Sequence, residues 1–377
     1  MSLTRVLAYV HPRRTIPPVS GVGRHVNGML TAMADRADCQ LELLAGRDAV
    51  FEHAHGRSPL ADFPIRKMLF NERFAERCWK SIGLPTIESS LRGCDVLYSP
   101  AETAFPRVSV FSAVTLCDVY PLDPLYPQYD RNPKFFSQRR RWEKWVPRMF
   151  QNADIVLTIS EFSKSRMLEL VDTHNKPIHV IGCGVDPIFY ESRAWEASSF
   201  QGAGDWPYLL VIGGLTSRKG AKETLEVARL LDRRGSDLKI VVAGKSEAEW
   251  HNAAKSLSNV VEVGAINDVT LVQYLRKSMS LLFLSQYEGF GIPVIEAMAA
   301  GVPAIISAKT SLPEVGGEAA IVVDSDQPEC VVDAILRLME SHSYRCDRIA
   351  KGDAHAPKFT WAASADRLLK VFKNHVH

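Results

Sequence analysis

At 377 residues and 42.0 kDa the chain is longer than one hydrophobic core usually supports, so two domains are expected. A hydrophobic fraction of 46% with 23% charged residues is that of a soluble globular protein, and a formal net charge of +2 argues against nucleic acid as an obligate partner. No apolar run approaches the ~20 residues of a spanning helix, the N-terminus lacks a charged-then-apolar signal segment, and the seven scattered cysteines form no C-x-x-C pair, so a reducing cytoplasmic location without zinc is expected.

In chain order, residues 5–10 (RVLAYV) read as a first buried strand, followed by a loop rich in proline and arginine. Gly21-Val-Gly23-Arg-His25 then opens a helix with apolar residues at Val26, Met29, Leu30 and Met33. Strand, glycine turn and helix N-terminus make an anion site. Val26 stands where a dinucleotide fingerprint needs its third glycine, which makes NAD a poor reading. Residues 40–45 read as the next strand, 50–91 as a less regular region with many arginines and prolines at 59, 64 and 85, and 94–99 and 110–116 as buried strands, the last running into Leu116-Cys117-Asp118. Residues 134–150 place Phe135, Trp142, Trp145 and Met149 near one helical face, with Arg139, Arg140, Lys144 and Arg148 around the rest. This stretch reads either as a core-packed helix with a solvated charged face or as a surface for an anionic membrane, and Pro147 is expected to break a long helix. Residues 153–159 form a further strand, Ser160 is placed to cap the next helix, and 177–181 is the last strand of this half. Residues 187–206 lack periodicity and are the linker candidate.

The second half repeats the alternation of strand and helix, which implies a second parallel sheet. Residues 208–212 are its first strand and end in Gly213-Gly214-Leu-Thr-Ser-Arg218-Lys219-Gly220, where Arg218 can fork across phosphate oxygens and Lys219 acts as a point charge. Strands follow at 238–243 and 260–263, the second leading into Gly264-Ala-Ile266. Residues 279–308 form one βαβ unit: a strand at 279–285, a loop with glycine at 289 and 291, a helix beginning at Pro293, and a strand at 302–307. The amides of Phe290, Gly291 and Ile292 then point from a helix N-terminus at an anion. Glu288 before that helix and Glu296 one turn inside it can face the same ligand and accept bonds from vicinal hydroxyls. Asp324-Ser-Asp326 is formally a D-x-D metal motif, but turn and capping chemistry explain it, and no metal is assigned.

Glu288-Gly-Phe-Gly-Ile-Pro-Val-Ile-Glu296 resembles the E-x7-E signature of retaining glycosyltransferases of family 4. The resemblance implies the GT-B fold: α/β, two Rossmann-like doubly wound parallel-sheet domains facing across a cleft. It divides the chain into an acceptor domain at 1–186, the linker at 187–206, a nucleotide-sugar domain at 207–356, and a helix at 357–377 returning to the first domain. In the family the Arg-Lys pair, here Arg218 and Lys219, binds the donor pyrophosphate without metal, helped by glycine turns that match Gly21, Gly23 and Gly214. Glu288 would orient the donor sugar, Glu296 would hold the ribose, and Ile266 would border the base. Family members commonly carry His-Asp where this chain has Cys117-Asp118. Either the donor sugar needs less polar contact there, as a 6-deoxy sugar or pentose would, or Cys117 is a tolerated variant.

The function so implied is transfer of a sugar, with GDP-mannose the first candidate, from a nucleotide-diphosphate donor to a glycan or lipid-linked acceptor in polysaccharide synthesis. A sugar-nucleotide epimerase and a noncatalytic sugar-nucleotide-binding protein are the alternatives. Peripheral membrane contact through 134–150 would place the chain at the inner face of the membrane.

Overall fold

Short apolar runs alternating with amphipathic helices bury both kinds of surface as a parallel sheet covered by helices, and this chain forms two such sheets. The structure, a computed structural model, describes residues 3–17, 19–53, 56–126, 133–194, 204 and 206–376. The chain divides into two compact units, one of Met1–Asp123, Arg131–Gly184 and Thr360–His377, the other of Pro124–Asp130 and Val185–Phe359.

The first unit runs β1 (Thr4–Tyr9), α1 (Gly21–Ala34), β2 (Cys39–Ala45), β3 (Ile65–Lys67), α2 (Glu72–Ser81), β4 (Val96–Ser99), β5 (Phe111–Thr115), α3 (Pro133–Asn152), β6 (Ile155–Thr158), α4 (Glu161–Leu170) and β7 (Ile178–Val180). Its seven strands are parallel in the order β3-β2-β1-β4-β5-β6-β7. Leu7, Leu97, Val114 and Val156 of the sheet pack with Trp79, Trp145 and Phe150 of the covering helices. Ser160 caps α4 by accepting the Ser163 N–H at 3.0 Å.

The second unit runs α5 (Pro187–Glu191), β8 (Tyr208–Ile212), α6 (Ala221–Arg233), β9 (Lys239–Ala243), α7 (Ala248–Ala254), β10 (Val260–Gly264), α8 (Asp268–Lys277), β11 (Ser280–Phe283), α9 (Ile292–Ala299), β12 (Ala304–Ser307), α10 (Leu312–Gly316), β13 (Ile321–Val323), α11 (Pro328–Glu340) and α12 (His342–His355). The six strands are parallel in the order β10-β9-β8-β11-β12-β13. The order reverses beside β8. The chain leaves β8 towards one edge of the sheet and returns to its other side as β11, so the loops after these two strands emerge next to each other at the carboxyl edge.

Three readings of the sequence need correction. Residues 50–91 are not irregular throughout: they hold β3, α2 and a two-residue hairpin, Glu52–His53 with Gly56–Arg57. β3 is a three-residue edge strand carrying Arg66 and Lys67, and α2 buries only Glu72, Ala75 and Trp79, so neither presents a strong apolar period. Pro147 does not end a helix, since α3 runs through it from Pro133 to Asn152. Proline there removes one backbone donor, but Trp145, Val146, Met149 and Phe150 around it are buried in the core and hold the helix in place. Residues 187–206 begin with a short helix, α5, rather than with linker; 195–203 and 205 lie outside the described residues.

In the first unit α1 packs on the C-terminal helix, Trp361–Val376. A Cβ at Gly28 would come within 2.2 Å of the Trp361 indole, so only glycine allows this approach. One turn earlier His25 is 1% exposed, with its ring edge-on to Trp361 at 5.9 Å and its Nδ1 3.6 Å from Cys183 Sγ. Burial lowers the His25 pKa to about 4.

Two outcomes follow. Gly28→Ala should lower stability by about 1–3 kcal/mol through overpacking against a rigid indole, measured by denaturant unfolding, and an unchanged midpoint would contradict this contact. An unfolded chain protonates His25 near the model-peptide value of 6.5, whereas the folded chain resists protonation down to about 4. The stability due to the neutral ring is therefore complete above pH 6.5 and is lost as pH falls towards 4, by roughly 3 kcal/mol. His25→Gln should flatten the stability curve in that window; parallel curves for the two proteins would contradict it.

Candidate active site

The loop after β8 begins with two glycines in left-handed backbone, Gly213 at φ 103° and Gly214 at φ 74°. A Cβ on Gly214 would stand 2.3 Å from the Lys245 carbonyl oxygen, so the loop needs glycine there for conformation and for space. The chain then makes a turn in which the Lys219 N–H donates to Thr216 Oγ1 at 3.2 Å, and Gly220, at φ 75°, starts α6. This turn aims Arg218 and Lys219 towards the neighbouring loop after β11.

That loop supplies Glu288. Lys219 Nζ lies 2.6 Å and Arg218 Nη1 3.0 Å from the same carboxylate oxygen, Glu288 Oε1, and Arg218 Nη1 also donates to the Tyr287 carbonyl at 3.1 Å. Lys219 Nζ stands 4.6 Å from the centre of the Phe283 ring, which adds cation–π attraction. Backbone bonds join the two loops as well, since the Gln286 N–H donates to the Arg218 carbonyl at 2.8 Å. Residues about 70 apart in sequence thus meet because β8 and β11 are neighbours in the sheet.

The ion cluster is sheltered from water: the Lys219 side chain is 12% exposed and that of Glu288 11%. Burial lowers the Lys219 pKa, and the attraction of Glu288 opposes that shift without cancelling it. Burial also acts to raise the Glu288 pKa, but the charges of Arg218 and Lys219 outweigh it and hold the carboxyl below its usual range. With all three groups charged the cluster carries one net positive charge.

Gly291, at φ 106°, is the N-cap of α9, where a Cβ would come within 2.6 Å of Leu312 Cδ2. Phe290, Gly291 and Ile292 therefore lie at the N-terminus of α9, the end that carries partial positive charge; Pro293 has no N–H there, and the Val294 N–H donates to the Gly291 carbonyl at 2.9 Å. Glu296 sits one turn into α9 and is 2% exposed. Ile266 follows β10, half-exposed, next to the α8 cap in which Asn267 Oδ1 accepts the Thr270 N–H at 2.9 Å.

Two residues that support this site carry no obvious mark in the sequence. The Glu288 N–H donates to Thr310 Oγ1 at 3.1 Å, and Ser311 Oγ, fully buried, donates to the carbonyls of Glu288 and Phe290 at 2.9 Å each. Thr310 adopts φ 56°, a left-handed conformation unusual for a β-branched residue. Their sequence mark is a Thr-Ser pair that follows the end of β12 after two intervening residues. Glu314, in the following short helix α10, is exposed. In the D-x-D stretch Asp324 Oδ1 accepts the Asp326 N–H at 3.0 Å and Asp326 pairs with Lys309 at 2.7 Å, which is turn chemistry. Among the described residues no group of three or more His, Cys, Asp or Glu is placed to hold a metal ion.

The remaining candidates lie in the first unit. Gly21 and Gly23 form the first turn of α1, where the Gly23 N–H already donates to the Ser20 cap at 3.2 Å. A Cβ on Gly23 would stand 2.2 Å from the Arg14 carbonyl oxygen, whereas one on Gly21 would meet nothing within 4 Å. Glycine at 23 is thus accounted for by close packing of the chain on itself. Asp118 follows β5 and accepts the Tyr120 N–H at 3.1 Å. Cys117 beside it is buried, which pushes its thiol pKa well above the usual value, so it is a neutral thiol at pH 7.

Residues 195–354 match the family described as Glycosyl transferases group 1, and residues 19–189 match Glycosyltransferase Family 4. Over 293 residues the chain is 26% identical to the O-antigen chain mannosyltransferase B of Escherichia coli, covering 72% of this chain and 70% of that protein. It is also 26% identical over 245 residues to the MMP alpha-(1->4)-mannosyltransferase of Mycolicibacterium hassiacum, covering 62% of this chain and 58% of that one. The fold is similar to that of WaaG, a glycosyltransferase involved in lipopolysaccharide biosynthesis, with a TM-score of 0.69 at 15% identity over 97% of this chain and 99% of the other. With each half carrying its own parallel α/β sheet and each half matched separately, the chain belongs to the group 1, family 4 glycosyltransferases and has the GT-B fold.

Proposed function

We propose that this enzyme is a retaining glycosyltransferase that moves mannose from GDP-mannose to a glycan or lipid-linked acceptor in the synthesis of a cell-surface polysaccharide. The observation that carries the reading is the meeting of Arg218 and Lys219 on the buried Glu288 carboxylate, at 3.0 and 2.6 Å, at the carboxyl edge of the second sheet. Mannose is favoured because both relatives named above are mannosyltransferases.

When the bond from the anomeric carbon to the phosphate oxygen breaks, negative charge grows on the leaving diphosphate. Arg218, Lys219 and the N-terminus of α9 are fixed positive charges and dipoles that stabilise it, which is the electrostatic work a metal ion would otherwise do. Glu288 holds the two cations at the loop junction and orients the donor sugar through its hydroxyls, while Glu296 accepts from the ribose. Retention follows if the acceptor attacks from the face the diphosphate leaves, the departing phosphate taking the acceptor's proton. Cys117, held as a neutral thiol, is a poor covalent nucleophile, consistent with that route.

Arg218→Ala and Lys219→Ala should each reduce turnover by about 100-fold, equivalent to ~3 kcal/mol of transition-state stabilisation, with a much smaller effect on thermal unfolding. Wild-type rates in either variant would contradict the phosphate assignment. Nucleoside diphosphates should raise the unfolding temperature, GDP more than UDP, with a stabilisation of ~2.7 kcal/mol at one hundred times the dissociation constant. A larger shift with UDP would contradict the choice of base.

A further inference from the structure

We propose that Arg193 is a positioning residue for the donor site: it clamps the C-terminus of α9 and so fixes where the opposite end of that helix, with Gly291 and Glu296, stands. The inference rests on the reading of that opposite end as part of the diphosphate site. Arg193 belongs to a single 3-10 turn, Ser192–Ala194, directly after α5. Its Nε donates to the Ala299 carbonyl at 2.7 Å and its Nη2 to the Met298 carbonyl at 2.9 Å. Both carbonyls belong to the last turn of α9, where a helix has no N–H of its own left to offer them. Nη2 also pairs with Asp353 of α12. A Cβ on Gly301, at φ 76°, would stand 3.4 Å from the Arg193 guanidinium carbon, so the planar group lies against the turn that leads from α9 to β12. One side chain thus joins the end of α9, that turn and α12, which takes the fixed fork of donors of a guanidinium.

The clamp has a firm base. Ser192 is fully buried, its Oγ donates to the Phe189 carbonyl at 2.7 Å, and its own carbonyl accepts a bond from Arg276 of α8. Phe189 in turn is buried in α5, which packs on α8 and α9. The stretch 187–194, read from the sequence as the start of a linker, is therefore a strap across two helices of the second unit. At the other end of the contact, α9 is eight residues long, about 12 Å, and every residue in it except Pro293 is buried. A rod so short, enclosed by β11, β12, α10 and α12, shifts as one body in a close-packed interior, so a displacement at Ala299 reaches Gly291 and Glu296. The guanidinium charge also offsets the negative pole of the helix whose positive pole faces the proposed diphosphate. Arg193 and Asp353 side chains are 38% and 41% exposed, so a change at either leaves no buried charge behind.

The test compares the full-length wild type with Arg193→Ala, Arg193→Lys and Asp353→Asn, well below their unfolding temperatures, by amide hydrogen exchange and by calorimetric titration with GDP. In Arg193→Ala exchange should quicken at both ends of α9, at Ile295 and Glu296 as well as in the segment 297–302, while the first unit stays as it was. The same variant should bind GDP about tenfold more weakly, since a remote misplacement on the order of 1 Å is enough for losses of up to ~100-fold. Arg193→Lys keeps the charge and can make one of the two carbonyl bonds, so it should recover part of both effects. Asp353→Asn leaves the carbonyl bonds in place and should behave as the wild type. Quickened exchange confined to 297–302, or wild-type GDP affinity in Arg193→Ala, would overturn the proposal. An Asp353→Asn protein as impaired as Arg193→Ala would overturn it too, because the arginine would then act on α12 rather than on α9. Failure of the wild type to bind GDP would count against the donor reading, and the exchange at Ile295 and Glu296 would still decide whether Arg193 sets the far end of α9.

Discussion

A single carboxylate oxygen that receives both a lysine and an arginine is the constraint from which the second unit's site is built. Glu288 and Lys219 are each almost shut off from water, and neither could be buried charged by itself. Removing Glu288 would leave the buried Lys219 uncompensated, at a cost of about 3–5 kcal/mol, whereas loss of either cation leaves the other paired with the carboxylate. The two loops are therefore held in one arrangement without a ligand, and the excess of one positive charge is what the proposed diphosphate would meet. Preorganised charge of this kind loses nothing to reorientation when the leaving group departs.

The sheet makes the arrangement possible. Parallel strands place all their carboxyl ends on one edge, and the reversal of order beside β8 lets two loops emerge side by side with no intervening crossover. Glycines at 214 and 291 then satisfy a different demand, because each sits in left-handed backbone where a side chain would strike a neighbour. Around them Thr310 and Ser311 hold the Glu288 backbone in place, so the carboxylate is positioned by a third loop, after β12, as well as by its own.

Much of this was legible in the sequence because the features that define it are local. Buried strands such as Tyr208–Ile212 announce themselves as apolar runs, here between Pro207 and a Gly213-Gly214 turn, and Glu288 and Glu296 stand at a spacing fixed by one loop and one helical turn. Features set by tertiary context were not legible. β3 is a strand only because β2 offers it an edge, and α2 hides a single tryptophan, Trp79, behind a polar and basic sequence. Pro147 lies inside a helix because core packing on both sides outweighs one missing hydrogen bond. The same limit applies to Gly23: read alone it belongs to an anion-binding turn, yet its lack of a side chain is already required by the Arg14 carbonyl.

The central claim is that the Arg218 and Lys219 cluster recognises the diphosphate of the donor. Calorimetric titration of the wild-type enzyme and of the Arg218→Ala, Lys219→Ala double variant with a nucleoside and with its diphosphate tests this most directly. The account predicts a strong preference of the wild type for the diphosphate, and its near disappearance in the double variant while nucleoside binding persists. A double variant that still prefers the diphosphate by the wild-type factor would contradict it.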